Sequence, residues 1–233
     1  MSLRDIPSMT VRPDMRRLTA EFVGTAFLLA AVVGSGIMAE TLTDDVGLQL
    51  FQNAFATAAV LAALIVAFQG VSGAHFNPAV TIVDRFFGGI DTPTALGYIG
   101  AQVAGGIVGV MAANAMFDLP LVEWSTNDRS AGHLVFAEVI ATLGLLLVIF
   151  GAVRSGRANA VAFAVGGYIG GAYYFTSSTS FANPAVTIAR SFSDTFAGIQ
   201  PSAVPGFIGA QLVGAVVAIV LIKVMFTRPE EAE

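Results

Sequence analysis

The sequence predicts an all-α membrane protein with six transmembrane helices and two re-entrant half-helices, arranged as an inverted repeat of three plus three. Three observations carry this expectation. Of the 233 residues, 55% are hydrophobic and 12% charged, against roughly 25% charged in a soluble domain. Mean hydropathy is +0.77. Apolar runs of about 20 residues, the length that crosses ~30 Å of hydrocarbon at ~1.5 Å per residue, recur along the chain. Finally, Asn77-Pro78-Ala79-Val80-Thr81-Ile82 returns unchanged as Asn183-Pro184-Ala185-Val186-Thr187-Ile188.

The six spans fall near residues 17–38, 47–69, 94–117, 132–153, 158–176 and 203–226. Between spans two and three, and again between five and six, a shorter apolar segment of about ten residues begins at an Asn-Pro pair, and ten helical residues cover only about 15 Å. Proline suits the first turn of a helix, where its missing N–H is no loss, and asparagine caps it from the preceding position. Each copy therefore predicts the N-terminus of a half-helix. Other segments repeat in the same order. Ala20-Glu21-Phe22-Val23-Gly24-Thr25 is echoed by Ala137-Glu138-Val139-Ile140-Ala141-Thr142, and Gly97-Tyr98-Ile99-Gly100-Ala101-Gln102 by Gly206-Phe207-Ile208-Gly209-Ala210-Gln211. Three spans per repeat is an odd number, so the second repeat enters the membrane upside down and the half-helix N-termini meet near the midplane. Gly105 with Gly109, and Gly166 with Gly170, have the small-xxx-small spacing that lets helices pack closely.

Charge sets the expected orientation. Arg4, Arg12, Arg16, Arg17, Arg85, Arg154, Arg157 and Arg228 fall on one side of a six-span chain, and an excess of Lys and Arg marks the cytoplasmic side. Both termini are thus expected there. The other side is acidic, with Arg129 and Arg190 its cations. No apolar run precedes residue 16, so a cleaved signal peptide is not expected. Cysteine is absent, which excludes disulfides and thiol chemistry. The two histidines, His75 and His133, and the scattered carboxylates do not form metal-ligand spacings. Neither a metal nor another cofactor is expected, and no basic stripe suggests nucleic acid.

These residues resemble the aquaporin superfamily, or major intrinsic proteins, from about residue 17 to 226. The resemblance rests on Ser72-Gly73-Ala74-His75-Phe76-Asn77-Pro78-Ala79-Val80-Thr81, the second Asn-Pro-Ala, an early-span glutamate in each half and the Gly-x-x-x-Ala-Gln pattern. It implies a right-handed bundle with one pore per subunit, a homotetramer, and a passive channel instead of an enzyme. The chain then divides into a cytoplasmic segment 1–16, a single channel domain 17–226 with repeats at about 17–117 and 132–226, and a cytoplasmic tail 227–233. A bacterial inner (plasma) membrane is the expected location.

Asn77 and Asn183, with Pro78, Ala79, Pro184 and Ala185, are then the pore centre. Their amides and the positive ends of the half-helices favour a neutral solute's oxygen and oppose cations and hopping protons. Glu21 and Glu138 lie within apolar spans, where ionisable groups usually face the bundle interior. They are expected to hold the non-helical loops before each Asn-Pro, with a proton relay as the other reading. His75 is likewise expected to hold its loop.

One departure from the family pattern bears on the solute. Members typically carry an arginine three residues after the second asparagine, lining the narrowest ring, and here that position is Val186. Counting as the resemblance suggests, the other ring positions are Thr57, Gly171 and Ser180, a small and uncharged set that would admit solutes larger than water. Arg190 lies one turn beyond Val186 and is expected at the outer vestibule, snorkelling to the interface. The aromatics Phe55, Tyr173, Tyr174 and Phe181 stand close to counted positions, so a small error of register would narrow the ring. The valine resembles the arsenic-linked bacterial aquaglyceroporins. The leading expectation is a channel for glycerol-like polyols, arsenite, methylated arsenicals and water. The alternatives are a water-selective pore closed by Arg190 or an aromatic, a proton-coupled transporter working through Glu21 and Glu138, and a purely structural membrane protein.

Overall fold

The computed structural model describes residues 14–226. Among them are eight α-helices: α1 (Met15–Leu42), α2 (Val46–Ser72), α3 (Pro78–Phe86), α4 (Thr92–Met116), α5 (Gly132–Arg154), α6 (Val161–Phe175), α7 (Pro184–Ala189) and α8 (Val204–Met225). Arg4, Arg12 and Arg228, used above for orientation, lie outside the described residues.

Local chemistry sets most of the helix starts. Asp14, Asp45 and Asp91 cap α1, α2 and α4 by accepting from the backbone N–H groups of Arg16, Leu48 and Thr94 at 2.9, 3.0 and 2.8 Å. Asn77 and Asn183 cap α3 and α7, each with proline in the first turn. Helices α1, α2, α4, α5 and the stretch Pro201–Met225 are each long and apolar enough to cross a membrane. The fifth expected span, 158–176, differs from a single continuous helix. It is a 3-10 turn (Ala158–Ala160) followed by the 15-residue α6, which at ~1.5 Å per residue covers about 22 Å. Large apolar side chains such as Phe27, Phe51, Phe136, Phe163 and Val220 are exposed, as helices facing lipid tails require.

The packing follows the repeat. Helix α1 packs on α2 and α4 as α5 packs on α6 and α8, and α2 joins α6 across the middle. Helix α3 lies against α4 and α8, α7 against α8 and α4, and the two half-helices touch. Glycine allows the closest of these approaches. A Cβ on Gly105 or Gly109 of α4 would collide with the carbonyl oxygens of Phe22 and Ala26 on α1. In the other half Gly214 of α8 lies against Val139 of α5, and Gly166 of α6 against Ala58 of α2.

The face carrying both ends of the described chain is tied together by arginine. Arg154 donates to the Phe226 carbonyl at 2.9 Å and lies over Phe87, while Arg17 donates to the Tyr98 hydroxyl at 2.8 Å. On the opposite face, segment 117–131 is knitted to the segment after α7. Thr126 N donates to Asp194 at 2.8 Å, Asn127 Nδ2 to the Thr195 carbonyl at 2.8 Å, and Arg129 Nε to the Gly198 carbonyl at 2.9 Å.

Replacing Gly109 by alanine should destabilise the protein by about 1–3 kcal/mol, the usual range for an overpacked contact. Gly100→Ala, where nothing lies within 4 Å of the added carbon, should be neutral. Thermal unfolding of both variants in detergent checks this pair.

Candidate functional site

Each half-helix is preceded by a loop whose backbone is neither helix nor strand, yet is buried in the bundle. Such backbone is tolerated at membrane depth only where protein satisfies it or it lines a cavity. In the first loop Gly73, Ala74 and Phe76 have positive φ, as Thr179, Ser180 and Ala182 do in the second. Alternating hand in this way, the chain turns back on itself without closing a helix and exposes N–H groups that need acceptors.

Two glutamates supply them. Glu21 Oε1 accepts from Ser72 Oγ at 2.5 Å and His75 N at 3.0 Å, and Oε2 from Phe76 N and Gln102 Nε2, both at 2.7 Å. Glu138 repeats the set: Ser178 Oγ at 2.6 Å, Phe181 N at 2.9 Å, Ala182 N at 2.8 Å and Gln211 Nε2 at 2.6 Å. Both carboxylates are fully buried. An ionised carboxylate only accepts, and four donors surround each one. That geometry holds the loops and leaves neither glutamate in a chain of proton carriers.

The asparagines lock the halves to each other. Asn77 Nδ2 donates to the Ala182 carbonyl and Asn183 Nδ2 to the Phe76 carbonyl, both at 2.8 Å. Their Oδ1 atoms cap the half-helices, taking Ala79 N at 2.9 Å in one, and Ala185 N at 2.9 Å with Val186 N at 3.2 Å in the other. An amide NH2 has two hydrogens, so one on each asparagine remains. Both asparagines line a cavity of about 570 Å³. It runs from Gln69, Asp84 and Asn159, on the face carrying the chain ends, past the asparagines to Thr57, Tyr173 and Arg190. His75 also lines it, with Nδ1 at 3.1 Å from Thr81 Oγ1.

Of the expected ring, Thr57, Ser180 and Val186 line the cavity and Gly171 does not. Gly171 is exposed, and Tyr173, two residues on and on the opposite side of α6, is buried on the wall instead. The Tyr173 hydroxyl lies 3.1 Å from Thr57 Oγ1. Phe181 is on the wall as well, whereas Phe55 and Tyr174 face outward.

Arg190 also differs from the expectation. It is 2% exposed and lines the cavity, so it does not snorkel. Helix α7 ends at Ala189 and the chain continues as a 3-10 turn (Arg190–Phe192). Arg190 Nε donates to the Ala197 carbonyl, and the guanidinium lies 3.4 Å from the Phe181 ring centroid. Arg129 approaches the same ring at 5.1 Å. These contacts hold the cation against the wall.

Sequence reasoning missed Asp84. Its signal was present in the repeat, since Asp84 follows Asn77 by the same seven residues that separate Arg190 from Asn183. Glu138→Gln should lower stability by about 1–3 kcal/mol, because an amide hydrogen would then face a loop N–H and leave that donor unpaired. The thermal midpoint of the purified variant reads this out.

Comparison with known proteins agrees with this architecture. The family model described as major intrinsic protein matches residues 8–160. The chain is 48% identical over 208 residues, 89% of each protein, to the aquaglyceroporin AqpS of Rhizobium meliloti (strain 1021). It is 32% identical over 152 residues, 63% of this chain and 67% of the relative, to glycerol uptake facilitator protein-like 6 of Lactiplantibacillus plantarum. The crystal structure of the aquaglyceroporin from Plasmodium falciparum superposes with a TM-score of 0.72 at 23% identity, covering 89% of this chain and 94% of that one. With the inverted repeat, the paired asparagines and these matches together, the chain belongs to the major intrinsic protein family and is an integral membrane channel, not an enzyme.

Proposed function

We propose that the channel passes small neutral hydroxylated solutes, with glycerol-like polyols as its main class and water, arsenite and methylated arsenicals as further permeants. The observation that carries this reading is Val186 on the cavity wall, where the family's usual arginine would reach across the ring. Isopropyl in place of guanidinium leaves a wider opening with fewer fixed donors. Arg190 does not reverse this, because its guanidinium is held against Phe181 and the Ala197 carbonyl. A neutral solute still meets one free N–H on each asparagine, whereas a cation faces the positive ends of two half-helices. Relatives named as an aquaglyceroporin and a glycerol uptake facilitator-like protein point the same way.

A second reading is favoured by Tyr173. Its ring enters the lining and its hydroxyl meets Thr57, and with Arg190 nearby this would make a narrower, water-selective pore. Proton coupling finds no support in two glutamates saturated by loop donors. Residues 17–226 are read as one channel domain that assembles as a homotetramer. Arg16, Arg17, Arg85, Arg154 and Arg157 support a cytoplasmic orientation for the face carrying both ends of the described chain, in a bacterial inner membrane.

Proteoliposomes in glycerol, arsenite and water gradients test the proposal. Solute flux is expected, and water flux without solute flux would give the second reading its case. Val186→Arg should cut glycerol flux about tenfold in a wide pore, equivalent to ~1.4 kcal/mol on the barrier, and change little in one already narrow.

A further inference from the structure

Opposite charges stand at matching positions of the repeat, Asp84 seven residues after Asn77 in α3 and Arg190 seven residues after Asn183 just beyond α7, and both line the cavity. Arg190 is engaged by the Ala197 carbonyl and the Phe181 ring. The Asp84 carboxylate is not engaged in this way. Among the described residues the one ion-pair contact of its side chain is with His75 Nε2, at 3.6 Å from Oδ2; Oδ1 packs against Gly89, and the Arg17 cation acts on the carboxylate from beyond ion-pair distance.

His75 Nδ1 lies 3.1 Å from Thr81 Oγ1, which accepts from Gln102 Nε2 at 3.0 Å and lies 3.1 Å from the Asn77 carbonyl. The imidazole is thus held by Thr81 on one side and turns its Nε2 edge to the Asp84 carboxylate on the other. At 3.6 Å this contact is longer than a hydrogen bond, so the carboxylate on the cavity wall keeps acceptor capacity for a donor brought from outside.

We infer that Asp84 and His75 form a second solute subsite, which takes hydrogen-bond donors from the hydroxyl groups of the permeating molecule. The inference rests on the channel reading above and sharpens it. At the pore centre Asn77 and Asn183 offer N–H groups, so they engage a solute through its oxygen lone pairs. At the face carrying the chain ends the Asp84–His75 pair engages the same solute through its O–H hydrogens. A polyol, or an uncharged weak acid built of hydroxyl groups, satisfies both places in turn. A solute with acceptors only satisfies the first and crosses the second without replacing the water it has shed. The subsite narrows the permeant class from small neutral solutes to those that both donate and accept.

Two variants in proteoliposomes test it, with thermal unfolding confirming that each is folded. Asp84→Asn removes the charge that strengthens the acceptor, while Asp84→Ala removes the acceptor and widens the mouth. Both should lower the ratio of glycerol to water permeability about fivefold, as the loss of a charge-assisted hydrogen bond would. A mouth that acts only as a steric barrier would instead raise that ratio in Asp84→Ala, and a rise or an unchanged ratio overturns the subsite. The unaltered protein gives a measurement independent of any variant. After subtraction of protein-free vesicles, N,N-dimethylformamide, which accepts but does not donate, should permeate more slowly than glycerol although it is smaller, and equal or faster flux overturns the inference. Water flux with no glycerol flux in the unaltered protein would instead overturn the channel reading for hydroxylated solutes, and the subsite with it.

Discussion

Everything at the centre of this protein depends on how irregular backbone is satisfied inside a membrane. A half-helix that stops at the midplane needs a non-helical loop to bring the chain there, and the loop's N–H groups find no water in the hydrocarbon. Glu21 and Glu138 answer that need with the same four donors in each half. Once the loops are held, Asn77 and Asn183 reach the opposite loop's carbonyls and tie the two halves together on the cavity wall. The channel thus rests on two buried charges, which are costly in a membrane without partners and here are fully surrounded by donors.

The scaffold obeys the repeat, while the wall of the pore departs from it. His75 with Tyr98 on one side matches Phe181 with Phe207 on the other, both as edge-to-face pairs with centroids 5.3 and 5.1 Å apart. One position therefore presents an imidazole to the cavity at one end and a phenyl ring at the other. The Asp84 and Arg190 positions differ more sharply still. Residues that hold the loops are free to remain alike under inversion, since their task is the same in either orientation. Residues that face the solute are not, because the solute meets them one after the other.

This division also explains what could be read from the sequence. Spans were legible because apolar length is set by bilayer thickness, and the half-helices because Asn-Pro fixes a cap and a first turn. Glu21 and Glu138 stood out because a carboxylate inside an apolar run must have a reason. The ring was legible only in part. Thr57, Ser180 and Val186 line the cavity, but the count to Gly171 fell on the exposed side of α6, and Tyr173, two residues on, faces inward instead. Arg190 was misplaced because what holds its side chain inward, the Ala197 carbonyl and the Phe181 ring, comes from loops whose course periodicity does not encode. Asp84 went unremarked because a lone acid in the last turn of a short apolar helix resembles an ordinary helix end.

The crossed bonds of the two asparagines bear on why both repeats belong in one chain. Asn77 completes the loop of the second repeat and Asn183 that of the first, so neither repeat is whole alone. One repeat by itself would complete this centre only by pairing with an inverted copy. Carrying both repeats in one chain supplies that copy, and it lets each mouth hold its own residues, a phenyl ring beside one and a histidine beside the other.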